Sequence, residues 1–87
     1  MNEMDRVMPH NQEAEQSVIG AIFLEPQALV TASEVLVPED FYHSAHKIIF
    51  ETMQTLNDQR KAIDTITVAE ELSNKNLLDD VGGIMYI

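Results

Sequence analysis

Eighty-seven residues with 15 Asp/Glu against 5 Lys/Arg, a formal net charge of -10, make one small acidic domain. A chain this short buries about 60% of its unfolded surface, so one modest core is the ceiling. Arg6, Lys47, Arg60, Lys61 and Lys75 are scattered, and only Arg60-Lys61 is a pair, which excludes the clustered cationic footprint of a strong nucleic-acid binder. With no cysteine, neither a disulfide nor a thiolate metal site can form. No apolar run approaches the roughly 18 residues of a membrane span. No basic, apolar leader is visible either, so the expected compartment is the cytoplasm.

Residues 1–10 read as a flexible lead with Met1, Met4 and Met8, ending at Pro9. Pro9 disfavours helix in the residue before it, so order is expected to start afterwards. Asn11 is placed to cap a helix that has Glu13 and Glu15 in its first turn, where the helix dipole favours anions. Ala14, Val18, Ala21, Ile22 and Leu24 predict its apolar stripe, widened by Ile19 and Phe23, with an end near Glu25. Gly20 costs a helix interior about 1 kcal/mol relative to Ala. Either a neighbouring helix comes close there or the cost is simply tolerated.

Pro26 suits the first turn of a second helix, with Leu29, Ala32, Val35 and Leu36 as its stripe. Pro38 restarts the chain in the same way, ahead of Glu39 and Asp40. The longest helix is expected over roughly 41–57, where Ala45, Ile48, Ile49, Thr52, Met53 and Leu56 keep the i, i+3, i+4 spacing. Residues 57–61 read as a polar loop. Asp64 is a cap for a helix through Leu72 with Ile66, Val68, Ala69 and Leu72 inside. The alternation of Ile63 to Val68 also fits a short strand, but no partner strand is evident, so helix is preferred. Leu77 to Val81 reads as a last short turn, stopped by Gly82-Gly83. The terminal Ile84-Met85-Tyr86-Ile87 run is too apolar to be left in water, which points to a natural chain that continues.

Few residues suggest chemistry. His43 and His46 are spaced i, i+3 and could reach one metal ion, with Glu39 and Asp40 a turn earlier. Such sites need three or four convergent ligands, and no second histidine pair supplies them, so a packed His46 beside a solvent-facing His43 is the preferred reading. Glu39-Asp40, Glu70-Glu71 and Asp79-Asp80 are adjacent pairs that do not face one another on a helix. Three glycines are present and none heads a G-x-x-x-x-G-K-S/T string, so ATP hydrolysis by that route is excluded. The expected catalytic, cofactor and metal residues of this chain are therefore none. Met85, Tyr86 and Ile87 are the candidate partner-binding residues.

Several strings, in order, resemble the N-terminal domain of bacterial replicative DNA helicases, the DnaB family. They are Pro9-His10-Asn11-Gln12-Glu13-Ala14-Glu15-Gln16-Ser17-Val18-Ile19-Gly20 and Pro38-Glu39-Asp40-Phe41-Tyr42. Ala45-His46 with Ile49-Phe50 follows, then Ile63-Asp64-Thr65-Ile66-Thr67-Val68 with Glu71-Leu72. Leu77-Leu78 through Gly82-Gly83-Ile84-Met85-Tyr86-Ile87 completes the match. The resemblance implies an all-α, orthogonal multi-helix domain over 11–87, cut before the helical hairpin that follows in the family, with the ATPase domain absent. It gives His43 no role, since that position varies in the family, and makes His46 structural.

The resemblance also implies a scaffold that helps form the collar of a hexameric ring and docks primase during DNA replication. Primase, other replisome proteins and neighbouring helicase subunits are the implied partners. ATP and magnesium belong to the missing motor domain, which would unwind DNA. Strong direct nucleic-acid binding by this chain is not expected. Two alternatives stay open: a stand-alone acidic helical adaptor, and a small metal-dependent enzyme using His43 and His46.

Overall fold

The computed structural model describes residues 11–82, which hold four α-helices, two single-turn 3-10 helices and no strand. Helix α1 (Gln12–Leu24) starts where expected, with the Asn11 side chain accepting the Ala14 amide at 2.9 Å. Of its expected apolar stripe, Ile19 and Ile22 are buried and Val18 and Phe23 pack against the core, but Ala14, Ala21 and Leu24 face out and Glu15 is buried instead. Ala14 and Ala21 are exposed, and Leu24 is 86% exposed. The inward face is shifted away from Ala14 and Ala21 toward Glu15 and Ile19. The cause is polar: Glu15 reaches into the fold for hydrogen bonds that no alanine could make.

Helix α2 (Ala28–Val35) begins two residues beyond Pro26, after a turn in which the Glu25 and Pro26 carbonyls accept the Ala28 and Leu29 amides. Leu29 is buried and Ala32 and Leu36 are half-buried, but Val35, expected inside, faces out. Pro38–Asp40 is a 3-10 turn closed by Asp40, whose carboxylate accepts the Val37 amide at 2.9 Å. The long helix α3 (Ser44–Asp58) therefore starts three residues later than its periodicity suggests. Phe41 is drawn into the core in extended backbone, its ring 4.9 Å from that of Phe50.

Helix α3 is the axle of the fold. It packs against α1, against both 3-10 turns and against α4 (Thr65–Asn74), while α2 packs on α1. Ile49, Phe50, Met53 and Leu56 of α3 meet Ile19 and Ile22 of α1, Leu29 of α2, and Val68 and Leu72 of α4 in one core. Phe41, Ile63 and Val81 close it from the connecting segments. Helix α4 opens on a reciprocal cap: Asp64 Oδ1 accepts the Thr67 amide and Thr67 Oγ1 accepts the Asp64 amide. The Thr67 amide bond holds the Asp64 carboxyl below its ordinary pKa. Val68, Ala69 and Leu72 are buried as expected, but Ile66 is 70% exposed.

Helices α3 and α4 stop by the same device. Arg60 and Asn76 each adopt φ +60°, and the amide of the next residue bonds five positions back, Lys61 to the Leu56 carbonyl and Leu77 to the Leu72 carbonyl. These are Schellman closures, which satisfy the last helical carbonyls and reverse the chain. The second 3-10 turn, Asp79–Val81, ends at Gly82 with φ 99°, where the glycine signal placed it.

Gly20 is exposed on α1, and a Cβ built there meets no atom within 4 Å. Among the described residues, simple tolerance and not close approach explains it. Gly20→Ala is expected to raise stability by about 0.5–1 kcal/mol through reduced unfolded-state entropy, read as a higher Tm. Arg60→Gly removes the cost of a left-handed non-glycine residue and is expected to add about 1 kcal/mol in urea unfolding, with the m-value unchanged.

Candidate functional site

Helix α3 begins without a side-chain cap of its own. His43 occupies the N-cap position, and its side chain makes no capping bond. The amides at a helix start have no intrahelical acceptors and must find others. Glu15, from α1, supplies one. Its Oε2 accepts the Tyr42 amide at 2.6 Å and its Oε1 faces the His43 amide at 3.3 Å. The same Oε1 lies 2.7 Å from Nδ1 of His46, on the first turn of α3. A carboxylate only accepts, so His46 Nδ1 is the donor. The carboxylate also favours the positive end of the α3 dipole.

The cluster is enclosed. The side chain of His46 is 1% exposed and that of Glu15 is 11% exposed. The ring of Phe41 stands edge-on to His46 with centroids 6.5 Å apart. His43 is the outer member, with a 30% exposed side chain whose Nδ1 lies 3.4 Å from Glu15 Oε1. That nitrogen is nonetheless shielded from solvent and has no hydrogen-bond partner. Burial by itself pushes the Glu15 carboxyl pKa up. The hydrogen bonds from His46 and from the Tyr42 and His43 amides, with the nearby His43, outweigh it and hold the pKa below the ordinary value.

His46 is therefore the packed, hydrogen-bonded histidine that the sequence suggests. His43 is not simply solvent-facing, because the structure turns its Nδ1 inward toward Glu15. The sequence-level objection to a metal site was a missing third ligand. Glu15 brings a third potential donor beside the two histidines, 28 residues before His43 and on another helix. Its only local signal was a first-turn acid, which the helix dipole explains equally well. Glu39 and Asp40 take no part: both are exposed, and Asp40 is committed to Val37. Met85, Tyr86 and Ile87, the candidate partner-binding residues, lie outside the described residues. Within them, Leu24, Val30, Val35 and Val37 are exposed apolar side chains on α1, α2 and the following segment.

Residues 7–87 match the family model described as DnaB-like helicase N terminal domain. The chain is 53% identical over 83 residues to the replicative DNA helicase DnaC of Bacillus subtilis (strain 168), covering 95% of this chain and 18% of that protein. It is 47% identical over 83 residues to the replicative DNA helicase DnaB of Geobacillus stearothermophilus, with the same 95% and 18% coverage. It thus spans about a fifth of the length of these curated relatives. Among solved structures, the crystal structure of the N-terminal domain of DnaB helicase from Mycobacterium tuberculosis superposes with a TM-score of 0.81 at 38% identity. That match covers 84% of this chain and 51% of the other.

Glu15→Ala leaves the His46 imidazole and the Tyr42 amide without their buried acceptor, and is expected to cost about 2–4 kcal/mol in chemical denaturation. The pH response has a definite sign. The folded pKa of Glu15 is lowered, so its contribution is present above the ordinary value of 4.5 and is lost as pH falls through the folded value. Stability is expected to decline below about pH 4.5, and Glu15→Gln is expected to flatten that acid limb in a series of Tm measurements.

Proposed function

Because the chain belongs to the family of DnaB-like helicase N-terminal domains, we propose that it is the scaffold and docking domain of a hexameric replicative DNA helicase. In this role residues 11–87 form part of the collar above the ring, and 1–10 are a lead segment. The collar pairs with neighbouring helicase subunits and presents a landing surface for primase and other replisome proteins in the cytoplasm. The motor lies in a separate domain of the parent protein, which uses ATP and magnesium to unwind DNA. Catalytic and nucleotide-binding residues are assigned to that domain and none to this chain.

The observation that carries this reading is the 53% identity to a replicative helicase over 95% of the chain. Charge supports it. A net charge of -10 with scattered Lys and Arg suits a protein-docking surface and disfavours tight contact with phosphates. The exposed apolar side chains of α1 and α2 fit a domain that works against protein neighbours. The family match leaves the unrelated acidic adaptor without a supporting observation.

Docking is assigned to the C-terminal apolar run Met85, Tyr86 and Ile87, where an aromatic anchor suits a binding hot spot. Calorimetric titration of the parent helicase ring and of this chain with the helicase-binding domain of primase tests it. Saturable binding that weakens at least roughly tenfold in Tyr86→Ala is expected. Undiminished binding by Tyr86→Ala would remove that residue from the surface, and no binding to the ring would overturn the primase assignment.

A further inference from the structure

The Glu15–His43–His46 cluster holds more than a helix cap requires. Glu15 Oε2 is committed to the Tyr42 amide, while Oε1 faces two imidazoles at once, 2.7 Å from His46 Nδ1 and 3.4 Å from His43 Nδ1. The ring centroids of His43 and His46 are 5.4 Å apart. One ligand atom from each of the three residues lies within 4.8 Å of the others. A tetrahedral zinc shell with bonds of about 2.0–2.1 Å sets neighbouring ligand atoms roughly 3.3 Å apart, so these separations need little adjustment to share one ion.

The second observation is the state of His43 Nδ1. It is buried and has no hydrogen-bond partner. Buried polar atoms in native proteins are overwhelmingly partnered, and an unpartnered one calls for a cause, an ion among them. The His43 side chain lies outside the apolar core cluster and does not cap α3. A metal bond would satisfy that nitrogen. We propose that Glu15, His43 and His46 form a binding site for a divalent transition-metal ion of the zinc type, which clips α1 to the start of α3.

The donor set selects the ion. Two imidazole nitrogens and one carboxylate oxygen suit Zn²⁺ or Co²⁺, whereas Mg²⁺ and Ca²⁺ require shells of oxygen. Binding exchanges the His46 Nδ1 proton for the metal, and that proton leaves to solvent. Glu15 Oε1 changes from hydrogen-bond acceptor to metal ligand, and Oε2 keeps the Tyr42 amide. The fourth position opens beside His43, the exposed member, and takes a water or a partner's side chain. With His46 and Glu15 enclosed, the ion's effect is structural: it binds the folded state and not the unfolded one.

Titration of the 87-residue chain with Co²⁺, followed by visible absorption, and with Zn²⁺, followed by calorimetry and thermal unfolding, tests the site. One Co²⁺ per chain with intense d–d bands of low coordination number is expected. Zn²⁺ at a hundredfold excess over its Kd is expected to raise Tm by roughly 10 °C or more. His43→Ala is the decisive variant, because the metal-free Tm is expected to stay close to that of the parent chain while Kd weakens at least tenfold and the zinc-dependent Tm gain disappears. His46→Gln, checked for helicity by circular dichroism, is expected to lose the Co²⁺ bands. Absence of saturable binding overturns the site. Binding at unchanged affinity in His43→Ala also overturns it, since the ion would then sit elsewhere, for example at His10.

Discussion

One buried carboxylate carries much of this domain's organisation. The longest helix, α3, packs against nearly every other element, yet its first turn lacks a cap from its own sequence. Glu15 provides an acceptor from α1, 27 to 31 residues away. A local cap fixes only where a helix starts. This one also fixes which face of α1 turns inward and how α1 lies across α3. Satisfying the carboxylate takes two amides and an imidazole, so the register between the two helices is set by hydrogen-bond geometry as well as by apolar packing.

The same interaction explains where the chain could and could not be read from its residues. Helix existence was legible throughout, because Asn11, Pro26, Pro38, Asp64 and Gly82 punctuate the chain by local mechanisms that need no tertiary partner. The core of α3 was legible for the same reason: Ile49, Met53 and Leu56 follow the helical period. The face of α1 was legible only in part. Periodicity weighs apolar side chains, so it found Ile19 and Ile22 but also placed Ala14, Ala21 and Leu24 inward, and it gave Glu15 no more than a first-turn role. The start of α3 was misplaced by three residues because Phe41 is captured by Phe50 and the Tyr42 amide by Glu15, both long-range events. His46 was legible as structural from its place on the apolar stripe. Its partner was not, since nothing near it in sequence announces a carboxylate.

The distribution of apolar surface belongs with the family assignment. The axle, α3, keeps its large side chains inside, whereas α1 and α2 expose Leu24, Val30 and Val35. A domain of 87 residues with one small core has few apolar residues to leave in water. Val37 and Tyr42 in the segment before α3 and Ile66 of α4 are exposed as well, so apolar surface is spread over the outer elements while the inner face of α3 stays covered.

A cap delivered from another helix also bears on how the domain folds. The Tyr42 and His43 amides leading into α3 and the His46 side chain do not reach their acceptor until α1 has docked, so the entry into the helix on which the core is assembled is completed by a long-range contact. Local order in α3 and α4 can form early, closed at both far ends by backbone reversals at Arg60 and Asn76. The near end of α3 waits for the N-terminal helix. Synthesis of the chain shortens that wait, since α1 leaves the ribosome before Tyr42, His43 and His46 emerge. Loss or displacement of α1 would accordingly be felt as fraying at the heart of the fold and not only at its edge, binding α1 into a single cooperative unit with the helices it packs on.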